Sequence, residues 1–228
     1  MGNPIKWFSG NRHEQGRYTA LLISIVCYLF ISPFLQDFPG LRDLIYLFLT
    51  AIVISGVYSV SQKKRVALVA AGLAAPMFIS IWVYQFTDIA TMETVGNCFG
   101  ILFLSFLSYL ILRSVISAKE VSFDVICGAI VVYLFIGVIW GYVFNLIETM
   151  QPGSFSSSLE NVRQGGESAF LYFSFVTLST LGYGDITPIS APARSFAYLE
   201  ALIGQIYLTV LVAALVGLRI SQSLEKRK

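Results

Sequence analysis

This sequence contains little charge. Only 12% of its 228 residues are charged, whereas 56% are hydrophobic. Soluble domains average about 25% charged residues, so the composition excludes an ordinary soluble domain and indicates a membrane protein. The formal net charge of +2 is too small to suggest binding to nucleic acid, and no nucleic-acid partner is expected.

The sequence is also poor in residues that build metal and redox sites. It has one histidine and three cysteines. Cys27, Cys98 and Cys127 are scattered among apolar segments, where they behave as small hydrophobic residues. A histidine-cluster metal site and a disulfide framework are therefore excluded. No set of acids, bases and nucleophiles converges on a pocket, so we predict no enzymatic activity and no cofactor.

Six apolar segments are long enough to be membrane spans, which need about 20 mostly apolar residues. The predicted helices are approximately residues 19–35, 41–60, 66–86, 95–117, 121–147 and 191–221. The apolar stretch 169–181 is too short to span and fits a re-entrant segment. The sequence therefore predicts an all-α membrane protein with six transmembrane helices, a pore helix and a loop.

The basic residues predict the orientation of these helices. With the N-terminus inside, twelve of the fifteen lysines and arginines fall on the cytoplasmic side. Such an excess is typical of cytoplasmic loops, so we predict a multi-pass protein of the cell membrane with both termini in the cytoplasm. Aromatic residues at the predicted outer helix ends are interpreted as an interfacial belt: Trp82, Tyr84, Trp140 and Tyr142.

The most informative segment follows the short apolar stretch. It reads Thr180-Leu181-Gly182-Tyr183-Gly184, with Asp185 next. Glycines at alternate positions permit backbone dihedrals that are costly for other residues. Successive carbonyl groups can then point the same way and replace the hydration shell of a cation. The segment resembles the TVGYGD signature of tetrameric potassium channels, with Leu181 in the usual valine position.

The resemblance extends over approximately residues 121–219 and implies an outer helix, a loop, a pore helix over 167–179, a selectivity filter and an inner helix. It implies that the permeant ion is K⁺, bound by the Thr180 hydroxyl and by four carbonyls: those of Thr180, Leu181, Gly182 and Tyr183. The Leu181 and Tyr183 side chains are expected to pack against the pore helix. Because the motif occurs once per chain, a ring around the ion requires a homotetramer in the lipid bilayer.

Two residues are expected to support the filter. In the family, the aspartate at the position of Asp185 bonds to an aromatic donor on the pore helix, and family spacing puts Tyr172 there. The alternative is that Asp185 is only a solvated turn residue. Some members carry a glutamate where this chain has Val176, so that network is missing here.

The inner helix contains several further candidates. Gly204 lies at the family spacing for a hinge glycine, although close helix packing is an equal alternative. We expect the cavity to be lined by Gln205, Leu208, Val212 and Val216, while an inter-helix hydrogen bond is an alternative role for Gln205. Glu200 is interpreted as a buried, protonated partner behind the filter; the alternative is a side chain reaching the outer interface.

The first four helices resemble a voltage-sensor domain without its charges. Residues 95–116 contain a single basic residue, Arg113. Sensors carry about three to four gating charges per subunit, so strong voltage gating is not expected. We divide the chain into a cytoplasmic N-terminus (1–18), a sensor-like domain (19–120), a pore domain (121–221) and a cytoplasmic tail (222–228).

The prediction that follows is a potassium-selective channel with passive conduction. A non-selective cation channel shares the layout, but such filters usually lose the Gly-Tyr-Gly pattern that this chain keeps. A non-conducting membrane interaction subunit is the other alternative.

Overall fold

The computed structural model describes residues 16–36, 50, 52–53, 55–57, 64–87, 90–118, 120–157 and 167–225. Its elements, numbered in chain order, are α1 (Arg17–Gln36), α2 (Lys64–Thr87), α3 (Ala90–Ile116), α4 (Phe123–Met150), β1 (Phe155–Ser157), α5 (Glu167–Leu178), β2 (Ile186–Pro188) and α6 (Ala191–Glu225). The described residues between 50 and 57 are also helical. The chain is a predominantly helical membrane protein, as the composition predicts.

Four helices in the described ranges are long and apolar enough to cross a membrane. They are Lys64–Tyr84, Thr91–Ile116, Phe123–Met150 and Ala191–Gly217, which correspond to the third to sixth predicted spans. The apolar part of α1, Arg17–Ile31, is shorter. The predicted helix over 41–60 lies largely outside the described residues. The count of six spans stays a prediction.

Helix α5 is the short apolar element between the last two spans. It contains 12 residues. At about 1.5 Å per residue it is far shorter than the roughly 30 Å of a bilayer core. Its length is therefore that of a re-entrant helix.

A small antiparallel sheet, absent from the sequence prediction, closes the segment around α5. Phe155 pairs with Pro188 and Ser157 with Ile186. The ladder is extended by the Ile189 N–H, which donates to the Ser154 carbonyl at 2.7 Å. Strands of three residues have too little alternation to be recognised in a sequence, so 149–167 resembles a plain polar loop.

The chain divides into two compact units. The first comprises Met1–Leu68, Leu107–Val132 and Leu211–Lys228, and the second Val69–Phe106 and Tyr133–Val210. In the first unit, the Asp124 carboxylate accepts hydrogen bonds from the backbone N–H groups of Tyr18 and Thr19, each at 3.2 Å. These are free donors at the start of α1, which Asp124 caps from another helix.

An aromatic core fills the second unit. It joins α4, β1, α5, β2 and α6, and its buried members are Trp140, Phe144, Phe155, Phe170, Phe173, Ile186, Ala193 and Ala197. The Phe144 and Phe173 rings meet edge to face with centroids 4.9 Å apart, and those of Phe155 and Phe170 do so at 5.1 Å. Such pairs stabilise beyond their buried area. The core holds the small sheet against α5.

The interpretation of Trp140 and Tyr142 as interfacial belt residues is wrong, because both side chains are buried in the second unit. The Trp140 ring packs against Phe144 and Phe196. Tyr142 covers Gly100 so closely that a Cβ there would lie 2.8 Å from its ring. Both aromatic residues belong to the protein interior.

Helix α5 approaches α4 over two glycines one helical turn apart. A Cβ at Gly137 would lie 2.5 Å from the Phe175 ring, and one at Gly141 would lie 3.1 Å from the Leu171 Cα. Small residues four apart on one face are what close helix contact in membranes requires. The sequence of α4 thus fixes how near α5 can come.

Candidate functional site

Helix α5 ends in a Schellman motif whose last residues begin the predicted filter. The Leu181 N–H donates to the Val176 carbonyl and the Thr180 N–H donates to the Thr177 carbonyl, both at 2.9 Å. This pair of bonds places a left-handed residue at Thr180, where φ is 59°. Glycine normally occupies this position, and a β-branched residue there costs about 1–3 kcal/mol. The strain is therefore concentrated at the first filter residue.

The backbone of the predicted filter alternates in handedness. Thr180, Gly182 and Gly184 have φ values of 59°, 58° and 77°, whereas Leu181 and Tyr183 between them have negative φ. Alternating left- and right-handed residues turn successive peptide planes the same way, so their carbonyl groups face one side of the chain. Oxygen atoms arranged in this way can replace the hydration shell of a cation. The negative end of the α5 dipole also favours a cation beyond its C-terminus.

The structure brings Asp185 and Tyr172 together. The Tyr172 hydroxyl donates to Asp185 Oδ2 at 2.6 Å, and the Ile186 N–H donates to Asp185 Oδ1 at 3.0 Å. The hydrogen bond to the carboxylate raises the pKa of Tyr172 to about 12, so the phenol stays a donor at neutral pH. A carboxylate held by two donors joins the far end of the filter to α5.

The remaining filter residues differ in exposure. Val176 is buried, and its carbonyl accepts the N–H groups of Leu181 and Gly182. The Leu181 and Tyr183 side chains are 55% and 66% exposed in the single chain. Their packing against the pore helix stays a prediction.

Glu200 lies behind α5 rather than at an interface. Its side chain is fully buried. Its Oε1 lies 2.5 Å from Ser174 Oγ, which also lies 2.6 Å from the Gly137 carbonyl oxygen. A single hydroxyl thus joins α4, α5 and α6.

Gly204 lies where α6 crosses the end of α5. A Cβ at this position would lie 2.6 Å from the Leu178 carbonyl oxygen and 2.8 Å from Leu178 Cδ1. This contact gives the glycine a packing role. The hinge alternative stays a prediction, and α6 is helical on both sides of Gly204.

The predicted cavity residues share an exposed face of α6 in the single chain. They are Gln205, Leu208, Val212 and Val216. The three apolar members are 37–58% exposed. Their role in lining a cavity stays a prediction.

Two polar contributions were not predicted. Glu148 caps the turn before β1, since its carboxylate accepts the N–H groups of Gly153 at 2.8 Å and Phe155 at 3.2 Å. The other is Ser174, which lies between Phe173 and Phe175 on α5. A polar residue inside a short apolar helix is the signal that could have indicated it.

Metal and cofactor groups of the usual kind do not assemble in the described part of the chain. There, no group of three or more histidine, cysteine, aspartate or glutamate residues is placed to hold a metal ion. The oxygen atoms available for an ion are instead those of the filter backbone and the Thr180 hydroxyl, a set suited to an alkali cation.

Comparison with known proteins agrees with this chemistry. Residues 125–219, from α4 through the filter to α6, match the family model described as "Ion channel". A stretch of 66 residues is 40% identical to the two pore potassium channel c of Oryza sativa subsp. japonica; it is 29% of this chain and 14% of that protein. This chain therefore spans only a small part of that relative. The resemblance to potassium channels is confirmed, and an ion channel domain points to transport rather than catalysis.

Proposed function

We propose that this chain, whose residues 125–219 form an ion channel domain of the potassium channel family, is one subunit of a homotetrameric K⁺-selective pore. Conduction is passive, and the pore lies in the cell membrane with both chain termini in the cytoplasm. The ion sites are formed by the carbonyls of residues 180–183 and by the Thr180 hydroxyl, repeated around a central axis.

The alternating φ values at Thr180, Gly182 and Gly184 carry the proposal. The two glycines are not required by close packing within the chain, since a Cβ at Gly182 or Gly184 meets nothing within 4 Å. The positive φ of Thr180 costs free energy, and such strained backbone is typical of functional sites. Coordination of a dehydrated cation is the use that fits the number and direction of the carbonyl groups.

Four copies are proposed because one chain supplies only one filter strand. A cation needs oxygen atoms on all sides, and a closed ring of identical subunits provides them by symmetry. The exposed Leu181 and Tyr183 side chains support this reading, because a neighbouring subunit is what would cover them.

Weak voltage dependence is proposed from the charge of α3. Its only basic residue, Arg113, lies in the last turn and is exposed. Each elementary charge moved across the membrane contributes about 2.3 kcal/mol per 100 mV. A single charge at the helix end crosses little of that field.

The proposal is tested by cation flux into liposomes containing the purified protein. We expect the wild-type protein to pass K⁺ in strong preference to Na⁺. Gly182→Ala should abolish this preference while the protein still inserts, because φ of 58° is costly with a side chain.

Gly153→Ala is the matched control. Gly153 also has a positive φ, 85°, with nothing within 4 Å of a Cβ, but it lies in the turn before β1. Its flux should remain K⁺-selective. Selective flux through Gly182→Ala, or equal K⁺ and Na⁺ flux through the wild type, contradicts the proposal.

A further inference from the structure

Glu200 is a fully buried carboxyl group on α6, and it lies against α5, the helix that ends at the predicted filter. We infer that Glu200 is a positioning residue: as a neutral carboxylic acid it donates its proton to Ser174 and so fixes α5, and with it the filter. This inference rests on the proposed function, because the property it protects is K⁺ selectivity.

Ser174 has too few protons to bond to both of its neighbours if Glu200 is ionised. Ser174 Oγ lies 2.5 Å from Glu200 Oε1 and 2.6 Å from the Gly137 carbonyl oxygen, both within hydrogen-bond range. A serine hydroxyl has one proton to donate, and a carbonyl oxygen has none. With an ionised Glu200, one of these two oxygen pairs would meet without a proton between them.

A protonated Glu200 satisfies both contacts. The carboxylic acid then donates to Ser174 Oγ, and the Ser174 hydroxyl donates to the Gly137 carbonyl. The two hydrogen bonds therefore point in the same direction, from α6 to α5 and from α5 to α4. The three oxygen atoms in this series, Glu200 Oε1, Ser174 Oγ and the Gly137 carbonyl oxygen, then each have a hydrogen-bond partner, as burial requires.

The surroundings of Glu200 also favour the neutral form. Its other oxygen, Oε2, is buried without a hydrogen-bond partner, and no basic side chain of the described residues pairs with the carboxyl group. The titratable group that interacts with it is Tyr133 on α4, which is not cationic at neutral pH. An ionised carboxyl group left unpaired inside a membrane span costs about 3 kcal/mol or more.

The position of Ser174 explains why this contact affects selectivity. Val176, two residues further along α5, supplies the carbonyl that holds Leu181 and Gly182. At Gly137 and Gly141, α4 and α5 are in close contact, with no room for a side chain between them. Any rotation of α5 about its axis therefore moves the filter backbone directly.

The test compares three substitutions of Glu200 in the tetramer. Glu200→Gln keeps a neutral side chain whose amide can donate to Ser174, so its K⁺ over Na⁺ preference should stay within about twofold of wild type. Glu200→Ala removes the donor, and Glu200→Asp is too short to reach it. Both should lower the preference by about tenfold, the effect of one lost buried hydrogen bond.

Ser174→Ala provides the partner variant. It should lower selectivity as Glu200→Ala does, and the double substitution should add little to either, because both remove one shared interaction. If Glu200→Gln forms tetramers but is as unselective as Glu200→Ala, the neutral-donor role is wrong. Full additivity of Ser174→Ala and Glu200→Ala contradicts it as well.

Infrared difference spectroscopy tests the protonation state without depending on conduction. The wild-type tetramer at neutral pH should show the carbonyl stretch of a protonated carboxylic acid, which shifts in D₂O and is missing from Glu200→Gln. A wild-type spectrum lacking this band overturns the inference. Failure of the wild type to select K⁺ would overturn the proposed function, whereas this band would still report on Glu200.

Discussion

Helices α4 and α6 are both apolar and long enough to span a membrane, but only α4 is substantially covered by its own chain. Within the most apolar stretch of each helix, 44% of the residues of α4 and 11% of those of α6 are buried. In the second unit α4 meets the aromatic core through Trp140 and Phe144 and meets α5 through its glycines. The difference shows that α4 contributes much of the interior of the single chain, whereas most of α6 is left uncovered by it.

Helix α6 itself shows the same contrast along its length. Glu200 and Gly204, on one face, pack against α5. The other faces expose large apolar side chains, including Leu202, Ile206 and Val210, at 55–61%. In the proposed tetramer these faces meet neighbouring copies and the cavity.

The largest expected effect is loss of assembly when the exposed face of α6 is made polar. Ile206→Asn should leave monomers in mild detergent instead of a tetramer of 25.2 kDa chains. The reason is that an amide placed between packed helices lacks partners. Native mass measurement reports the result directly.

Ile79→Asn on α2 is the matched control. Ile79 and Ile206 are 60% and 59% exposed in the single chain. We expect Ile79→Asn to leave the tetramer intact. If both variants dissociate, or neither does, the distinction between α6 and the other exposed helices fails.

The next effect distinguishes the packed and open parts of α6. Gly204→Ala should lower the free energy of unfolding by about 1–3 kcal/mol, because its Cβ would press on the Leu178 carbonyl oxygen at 2.6 Å. Gly217→Ala should be neutral or stabilise by up to about 1 kcal/mol, since alanine favours helix and nothing lies within 4 Å. The melting temperature of the tetramer should therefore fall for Gly204→Ala and stay unchanged or rise for Gly217→Ala, and an equal fall in both variants would remove the packing role of Gly204.

A smaller effect is expected at the outer end of the filter. Tyr172→Phe removes the hydrogen bond to Asp185 at 2.6 Å. Because this contact is partly exposed, we expect a loss of about 1 kcal/mol in stability, with a faster decline of K⁺ flux on heating. Tyr198→Phe, which alters a 62% exposed phenol on α6, should change neither quantity. Equal behaviour of the two variants would argue that Asp185 is only a turn residue.

The smallest effect is expected from Arg113→Gln. Four subunits moving Arg113 fully across the field would carry only about four charges, against about three to four per subunit in true sensors. Current–voltage records of wild type and variant should both show a shallow dependence of open probability on voltage. A steep activation curve that Arg113→Gln flattens would show that α3 senses voltage.

The sequence predicts those parts of this molecule that depend on local pattern. The spans α2, α3, α4 and α6 follow from uninterrupted apolar runs, and the short length of α5 follows from the polar residues around it. Alternate glycines predict the handedness at Gly182 and Gly184. The positive φ of Thr180, in contrast, depends on the carbonyls of Val176 and Thr177 that cap α5.

What the sequence does not predict depends on partners brought together from distant segments. Nothing local pairs Glu200 with Ser174 or Ser174 with the Gly137 carbonyl, since these residues come from three helices. The β1–β2 sheet is likewise decided by Phe155 entering the aromatic core rather than by strand periodicity. The burial of Trp140 is not predictable either, because a tryptophan near a helix end has the same local pattern at a membrane interface and in a protein interior.

The most direct measurement is the location of bound ions in crystals of the tetramer grown with rubidium or thallium, which replace K⁺ and scatter anomalously. We predict a row of anomalous peaks on a four-fold axis, level with the carbonyl oxygens of Thr180 to Tyr183. An assembly without that axis, or peaks that avoid these carbonyl groups, would contradict the assignment of residues 180–184 as the ion pathway.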